Sequence, residues 1–419
     1  MTEANAVQDA ARDLAPVYRD LHAHPELAFQ ETRTAAIVAD RLRALGYDTT
    51  TGIGGTGVVG ILRNGDGPTA LLRADMDALP VREETGLPYA STAQGLGGDG
   101  QDVPLMHACG HDMHVACLLG AAAVLAADRS AWRGTALLVF QPAEEIGEGA
   151  QAMIDDGLYD RFGTPAVVLG QHVAPIPAGV LGLHPGAAFA AMDSLHVVLH
   201  GRGGHGSRPE ATVDPVFMAA ATVMRLQGVV SREVAGGATA VVTVGALHAG
   251  TKGNIIADRA DLHLSIRTSD PAVRDTVMAA VERIVRAEAA ASGAPREPDI
   301  TPTESLPAVR NDPAACARTR DGFAADLGSV LVVDPGPVTG SEDVGIFADA
   351  AGVPCVYWLL GGADPQAFAG AQDMQALERI VQSLPSNHSP QYAPVIEPTL
   401  TTGINALVSA ARTWMPASG

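Results

Sequence analysis

Three short apolar segments constrain the fold of this chain more than any other feature. They span residues 69–72, 134–141 and 166–170 and read TALL, GTALLVFQ and AVVLG. A strand with one face in water alternates apolar and polar residues, whereas an unbroken apolar strand is typical of burial on both faces. Because helical segments alternate with these strands along the chain, the pattern predicts a parallel α/β sheet.

Side chains that can bind a metal follow all three strands. Asp75 and Asp77 come after the first strand, Glu144 and Glu145 after the second, and His172 after the third. Open α/β sheets build their sites at the carboxyl ends of strands. Adjacent carboxylates at a buried strand end would repel each other, and a cation relieves that cost. Each strand end alone also fits an Asx turn or an acidic helix N-terminus, but three together favour a metal site.

The densest group of potential ligands lies in residues 105–114, LMHACGHDMH. It runs directly into an apolar segment, 115–127, that predicts a buried helix. One glycine separates Cys109 from His111, so a loop before that helix can direct a thiolate and an imidazole to one point. Both groups are ligands for borderline-soft divalent metals. The alternative is a buried free cysteine beside a helix-capping aspartate, Asp112.

The chain begins with two predicted helices separated by the segment LHAHPELAFQE. Pro25 ends the first helix, and we expect His22 and His24 to lie in a loop that packs on the surface rather than to bind metal. Farther on, Asn64-Gly65 joins GVVGIL (57–62) to the TALL segment. This dipeptide between two apolar runs predicts a β-hairpin.

The pattern changes after residue 193. Residues 194–300 are predicted as strand, helix, strand, strand and helix, the order of a small split βαβ sandwich. Apolar strand and loop signals of the first kind then resume, and a last histidine, His388, stands in SNHSP. We therefore expect a discontinuous first domain, 1–193 and 301–419, and an inserted domain, 194–300.

Composition excludes several classes of protein. A formal net charge of −20 argues against a nucleic-acid partner. The chain has no run of eighteen apolar residues, so we expect no transmembrane helix, and its polar start predicts no signal peptide. Four widely spaced cysteines do not form a disulfide framework. These features together predict a cytoplasmic protein.

The motifs MHACGHD, QPAEE, GQHVAP, GRGGHGSRP, GSED and SNHSP together resemble the amidohydrolase branch of the aminoacylase/carboxypeptidase metallopeptidases. This branch includes hippurate hydrolases, N-acyl-amino-acid amidohydrolases and auxin-conjugate hydrolases. The match runs in order over nearly the whole chain. It implies an α/β catalytic domain of the zinc-peptidase type, with a mixed central sheet flanked by helices, and an inserted ferredoxin-like α+β domain that serves as lid and dimerisation domain.

The resemblance implies a divalent metal site with one or two cations. Its ligands match five residues: Cys109, His111, Glu145, His172 and His388. Glu144 matches the general base and Asp77 an aspartate that supports a ligand. Sister branches carry a histidine where this chain has Asp75, and they bridge two metals with an aspartate where a cysteine stands here, so the number of cations stays open. A thiolate favours zinc, with manganese, cobalt and nickel as alternatives.

Residues of the inserted segment would complete the site. His205, set among glycines, matches a histidine that donates to the oxyanion and that in relatives comes from the partner subunit. Asn254 and Arg267 match residues that hold a substrate carboxylate. The alternatives are an exposed loop histidine and a solvated strand-end arginine. We expect a homodimer or homotetramer formed through the inserted domain, with no membrane partner.

The predicted function is metal-dependent hydrolysis of an N-acyl amino acid to a carboxylic acid and a free amino acid, with Glu144 as the base. A dipeptidase or aminopeptidase is the alternative enzyme, in which Glu342 or Asp343 of GSED would meet the free amine of the substrate. A non-catalytic binding protein is a third hypothesis. It has no need of a base beside the ligand Glu145, so the paired glutamates disfavour it.

Overall fold

The computed structural model describes residues 3–98, 100–328 and 330–417. The chain forms two compact units. The first unit comprises Met1–Gly186, Arg310–Gly336 and Asp343–Gly419, and the second comprises Ala187–Val309 and Pro337–Glu342. The second unit therefore extends beyond the predicted insertion at both ends and includes most of the GSED motif.

The elements of the described residues follow in chain order. The strands are β1 (Asp48–Ile53), β2 (Gly57–Asn64), β3 (Thr69–Asp75), β4 (Gln94–Leu96), β5 (Asp102–Pro104), β6 (Gly134–Gln141), β7 (Val167–Pro177), β8 (Val180–Gly182), β9 (Gly186–Phe189), β10 (Ala191–His200), β11 (Gly204–His205), β12 (Ala240–Ala249), β13 (Ile255–Ile256), β14 (Arg259–Thr268), β15 (Asp299–Leu306), β16 (Val309–Asn311), β17 (Leu331–Val333) and β18 (Cys355–Ala363). The helices are α1 (Glu3–Ala23), α2 (Thr32–Ala44), α3 (His111–Ala127), α4 (Gly149–Asp155), α5 (Leu158–Phe162), α6 (Pro215–Glu233), α7 (Pro271–Ala291), α8 (Pro313–Asp326), α9 (Gly345–Ala351), α10 (Met374–Ser383) and α11 (Thr399–Trp414).

The first unit is built on a mixed sheet in which the strands run in the order β1-β2-β6-β3-β7-β18. β6, β3, β7 and β18 are parallel to one another, while β2 is antiparallel to both of its neighbours, β1 and β6. The predicted hairpin is wrong, because β6 lies between β2 and β3. The Asn64-Gly65 turn signal is local and cannot exclude the insertion of a strand from elsewhere in the chain.

The three apolar strands of the sequence lie side by side. β3 is parallel to β6, with Asp75 opposite Gln141, and parallel to β7, with Arg73 opposite Gly170. All three strands are buried over most of their length. The polar residues that end β3 and follow β6 therefore share one place in the first unit. The prediction that His172 follows its strand is wrong, because β7 continues through His172 to Pro177.

Helix α3 connects the ligand-rich loop to the core. It is buried almost all round, as its Ala/Leu-rich sequence predicts, and it packs against α1, α11 and β3. A side chain at Gly120 would place its Cβ 2.4 Å from Ile404, so the glycine permits close packing of α11. Gly110, in the left-handed region at φ 85°, starts the helix and fixes the direction of His111.

The second unit is a four-stranded antiparallel sheet in the order β12-β14-β10-β15, packed on α6 and α7. The order βαββαβ along the chain confirms the predicted ferredoxin-like class. The final strand, β15, was not expected from the sequence. Its burial pattern is mostly exposed, so it lacks the apolar run that marked the other strands, and its pairing with β10 defines it.

His22 does not lie in a surface loop, and that prediction is wrong. It belongs to the last turn of α1 and is fully buried, with Nδ1 2.7 Å from Asp112 and Nε2 3.0 Å from Glu83. The two acids come from distant parts of the chain, so the sequence around His22 carried no sign of them. His24, in contrast, is exposed and lies 2.8 Å from the carbonyl of Asp20.

Among the described residues, no helix combines the length and the apolar character that a bilayer span requires.

We expect the charge on His22 to stabilise the first unit. Burial alone would lower the pKa of His22, but the carboxylates of Asp112 and Glu83 outweigh it and raise that pKa from 6.5 to about 10. Stabilisation by a raised pKa is complete below the unfolded value and is lost as pH rises through the folded one. In urea denaturation of metal-free protein, the gap in unfolding free energy between wild type and His22→Gln should therefore narrow by more than about 1 kcal/mol from pH 6.5 to 10. A constant gap would show that the folded protein holds His22 neutral.

A candidate metal centre in the first unit

Asp77 joins the end of β3 to two other parts of the site. Its Oδ1 lies 3.1 Å from Nδ1 of His111, and its Oδ2 accepts the backbone N–H of Glu145 at 2.9 Å. Because Nδ1–H of His111 donates to this carboxylate, Nε2 keeps the lone pair that a metal would use. Both oxygens of Asp77 are thus occupied by the protein, and the residue is placed to orient a ligand.

Two buried atoms at this place fit a cation. Nε2 of His111 and Oε1 of Glu145 have no hydrogen-bond partner among the described residues, and they lie 3.8 Å apart. A buried polar atom without a partner is costly. A divalent cation can accept both a nitrogen lone pair and a carboxylate oxygen, so the donor chemistry fits the metal that the resemblance implies.

The charge balance points the same way. Burial raises the pKa of Glu145 to about 8, with Asp77 and Asp75 adding to the effect. Burial would lower the pKa of His111, but Asp75 and Asp77 outweigh it and raise that pKa to about 10. Both shifts favour the protonated forms of these groups when no metal is bound. Metal binding displaces such protons from its ligands.

The two glutamates stand on a tight turn after β6. Ala143 has a left-handed backbone (φ 50°), and its carbonyl accepts the N–H of Gly149 at 3.0 Å. The turn closes so tightly that a Cβ on Gly149 would lie 1.6 Å from the carbonyl oxygen of Pro142. The result is that Glu144 and Glu145 each bring a carboxylate oxygen to 3.8 Å from Nε2 of His111.

Cys109 and His172 face each other across the site. The sulfur of Cys109 lies 3.4 Å from Nε2 of His172. Nδ1–H of His172 donates to the carbonyl of Val173 at 2.8 Å, which leaves the lone pair on Nε2. The cysteine is buried, and it is a free thiol.

His388 reaches the site from the last third of the chain. Its backbone is left-handed (φ 70°), and its N–H donates to the carbonyl of Ala108 at 2.8 Å. Its Nε2 lies 3.3 Å from Oε2 of Glu145. The side chain is 55% exposed, so this is the side on which the centre of the first unit meets solvent.

The structure brings all five predicted ligands together. The ligand atoms of Cys109, His111 and His172 lie within 4.8 Å of one another, and so do those of Cys109, Glu145 and His388. The two groups share only the cysteine sulfur. This arrangement has room for one cation or for two with the sulfur between them, and metal binding by these residues stays a prediction.

Asp75 stands where sister branches carry a histidine. It forms a buried ion pair with Arg73 and also contacts His114. Its Oδ1 lies 2.5 Å from Nδ1 of His114 and its Oδ2 2.5 Å from Nη1 of Arg73. Burial opposes ionisation of Asp75, but Arg73 and the neighbouring histidines hold its pKa well below the usual value. Nε2 of His114 accepts the N–H of Val173 at 2.8 Å, so neither nitrogen of His114 remains for a metal.

The three predicted site residues of the second unit form their own contacts. His205 and Asn254 lie side by side, since the N–H of Gly206 donates to the carbonyl of Asn254 at 2.9 Å. Nδ1 of His205 accepts the N–H of Ser207 at 3.1 Å, so the neutral ring carries its hydrogen on the exposed Nε2. Nη1 of Arg267 donates to Ser341 Oγ at 2.9 Å and to a backbone carbonyl of the same segment, and the residue is half-buried.

Comparison with known proteins identifies the family. Residues 71–384 match the model of peptidase family M20/M25/M40. The chain is 37% identical to hippurate hydrolase of Campylobacter jejuni (84% of this chain, 89% of that protein) and 36% identical to thermostable carboxypeptidase 1 of Saccharolobus solfataricus (85% and 88%). A solved dinuclear metal-binding M20 peptidase of Bacillus subtilis superposes with a TM-score of 0.75 at 28% identity over 96% of this chain and 98% of that one. The chain belongs to the M20 family.

Sequence analysis missed the residue that clamps this M20 site. The side-chain amide of Asn387 donates to the carbonyls of Cys109 at 3.0 Å and Val173 at 3.1 Å. It thereby ties the cysteine loop and the middle of β7 to the loop that carries His388. The sequence signal for Asn387 was its position directly before His388 in the motif SNHSP, in which only the histidine was given a role.

Asp343 was a candidate partner for a substrate amine. One of its carboxylate oxygens lies within 4.8 Å of a carboxylate oxygen of Glu144, but other groups of the protein already hold that carboxylate. It is fully buried, and its carboxylate accepts from Nη2 of Arg73 at 3.0 Å, from the amide of Gln141 at 2.7 Å and from the N–H of Ala150 at 3.0 Å. A carboxylate with these partners is committed to the interior of the first unit. Glu342, the other acid of GSED, is also buried, and its role as a partner of a substrate amine stays a prediction.

We expect Asp77→Asn to weaken metal binding. The amide can no longer accept from both His111 and the Glu145 N–H, so the ring loses its fixed tautomer. Substitutions of residues that orient a metal ligand commonly reduce affinity by about 10–100-fold. A chelator competition titration with zinc measures the effect. Asp66→Asn, on an exposed turn far along the chain from the predicted ligands, is the matched control and should leave affinity unchanged. Equal affinity in both variants would contradict the orienting role.

Proposed function

We propose that this M20 protein is a metal-dependent amidohydrolase that converts N-acyl amino acids to a carboxylic acid and a free amino acid. One observation carries the proposal: the tight turn after β6 presents two adjacent carboxylates at the same distance from Nε2 of His111. A binding protein needs only the ligand, Glu145, whereas a hydrolase also needs a base, Glu144. The relative named hippurate hydrolase supports an N-acyl amino acid as substrate.

The chemistry divides between the cation and the chain. When bound, a divalent cation polarises a carbonyl and makes water more acidic. Glu144 takes the proton of the attacking water, whose oxygen forms the bond to the carbonyl carbon. As the C–N bond breaks, Glu144 passes that proton to the leaving nitrogen. His205 donates Nε2–H to the developing oxyanion, and the Ser207 contact to Nδ1 keeps the hydrogen on that side.

We propose zinc as the cation, because the donor set includes the thiolate of Cys109. If two cations bind per subunit, Cys109, His111 and His172 would hold one, and Cys109, Glu145 and His388 would hold the other. The dinuclear relative supports that number. Manganese, cobalt and nickel are the alternatives. The four cysteines are free thiols, and we propose that the protein works in the cytoplasm, where a reduced Cys109 persists.

Arg267 and Asn254 are proposed to hold the α-carboxylate of the substrate. The guanidinium of Arg267 is fixed by Ser341 and retains further N–H donors for a bidentate contact. A dipeptide also carries such a carboxylate, and the carboxypeptidase relative keeps peptide hydrolysis as the alternative. The commitment of Asp343 to the interior counts against a site that requires a free amine.

The second unit is proposed to form a homodimer and to act as a lid over the metal site. Strand β12 is an edge strand, so its outer backbone groups are available for pairing with a second chain. Apolar side chains are exposed on it and on α6, among them Leu247 (41%), Phe217 (70%) and Met224 (75%). Exposed apolar patches beside a free edge mark interaction surfaces. A homotetramer would add a second interface to this one.

The first test of function is a panel of N-acyl amino acids and dipeptides with metal-loaded protein. We expect release of amino acid from the acyl substrates and little from dipeptides. Glu144→Gln should bind metal normally and lose at least about 10²–10⁴-fold in kcat, because it removes proton transfer. Loss of metal together with activity, or normal turnover, would contradict the role of Glu144 as base.

Mixed dimers test whether His205 acts on the partner's site. A dimer of one His205→Ala subunit and one Glu144→Gln subunit has one complete site if His205 acts in trans, and none if it acts within its own chain. We expect the activity of the mixture to rise well above that of both parent variants. Mixed dimers that form, as shown by differently tagged subunits, without a gain in activity would contradict the trans arrangement.

A further inference from the structure

Backbone strain in this protein is concentrated beside the metal centre. Among the described residues, three that are not glycine have a left-handed backbone: Phe29 (φ 60°), Ala143 (φ 50°) and His388 (φ 70°). Such residues store strain, and surrounding contacts must hold them in place. His388 is a predicted ligand and Ala143 directly precedes Glu144. Phe29 has no role in the chemistry above, yet it is connected to Ala143 by one side chain, Glu31.

Glu31 is fully buried between these two strained residues. Its Oε1 accepts the N–H of Ala143 at 2.8 Å and the N–H of Phe29 at 3.0 Å. Its Oε2 accepts the hydroxyl of Thr56. Oε1 of Glu31 therefore accepts a hydrogen bond from Ala143, the residue at which the turn after β6 begins.

We propose that Glu31 is a positioning residue for the catalytic turn: by accepting the N–H of Ala143 it holds the left-handed backbone from which Glu144 and Glu145 project. The backbone angle at Ala143 sets the direction of the next two residues. Without an acceptor, this buried N–H loses its partner and the strained alanine loses the contact that opposes relaxation. Both carboxylates then leave their places near His111. The effect on turnover rests on the proposed function, whereas the effect on metal affinity does not.

The accepting oxygen matters here more than the charge. Burial raises the pKa of Glu31 to about 7, with Asp77 adding to the effect and the Thr56 hydroxyl opposing it. In the protonated form Oε1 still accepts from Ala143 and Phe29. Glutamine also presents an oxygen on that side and an N–H₂ toward Thr56, so Glu31→Gln preserves the geometry.

Glu26 provides a matched control from the same segment. Its carboxylate accepts the N–H groups of Arg33 at 2.9 Å and Thr34 at 2.8 Å, at the start of α2. Like Glu31, it satisfies two backbone donors, but it does not contact the turn after β6. Glu26→Met and Glu31→Met each remove one such acceptor while keeping an unbranched side chain, so a general loss of stability should affect both.

The experiment measures zinc affinity by chelator competition and kcat and KM on an N-acyl amino acid. For Glu31→Met we expect zinc affinity to fall about tenfold, kcat to fall at least about tenfold and KM to change less than about threefold. Glu31→Gln should stay within about threefold of wild type in all three. Glu26→Met should lower the melting temperature and leave affinity and kcat unchanged.

Ala143→Gly tests the strain directly. Glycine adopts a left-handed backbone without steric cost, so Ala143→Gly added to Glu31→Met should recover at least about threefold in zinc affinity. The double variant also serves if Glu31→Met alone is too unstable to purify. No recovery, or equal losses in Glu31→Met and Glu26→Met, would overturn the proposal. Wild-type protein that binds zinc but cleaves no substrate would overturn the proposed function, and the affinity comparison would still decide the role of Glu31.

Discussion

The contact on which the candidate site depends most is the carboxylate of Asp77. One oxygen fixes the ring of His111 at the start of α3, and the other fixes the backbone of Glu145 after β6. The carboxylate of Asp77 thus fixes the start of α3 relative to the end of β6. Because the strand that delivers Asp77 is buried and paired on both sides, this reference point is as rigid as the sheet itself.

Around Asp77, one nitrogen of each nearby histidine is held by the protein, and the other nitrogen decides whether the histidine can bind a metal. His111, His114 and His172 each use Nδ1 to donate to a protein oxygen. In His114 the remaining nitrogen accepts a backbone N–H, whereas in the other two it faces the shared space of the site. The sequence alone does not distinguish these three histidines. The partner of Nε2 shows that His114 has a structural role, whereas His111 and His172 are available as ligands.

The features that could be predicted from the sequence are those that depend on residues close together in the chain. Unbroken apolar strands followed by acids and histidines predict the core of the sheet and the place of the site, because burial pattern and strand end are both local. The order of strands and helices after residue 193 predicts the inserted unit, and the resemblance of motifs adds the expected roles of that unit and of His388. The partners of His22, the strand β6 between β2 and β3, and the clamp by Asn387 depend on contacts between distant segments, which no local pattern encodes.

The sulfur of Cys109, common to both groups of ligand atoms, gives this centre a chemical sensitivity that an all-carboxylate bridge would lack. A carboxylate is inert to peroxide, whereas a thiolate is oxidised stepwise to sulfenic and then sulfinic acid. Oxidation at this one atom would remove a donor from both groups at once. Burial of the cysteine slows that reaction, and a cation bound to the sulfur would slow it further, so oxidants would damage the metal-free form most.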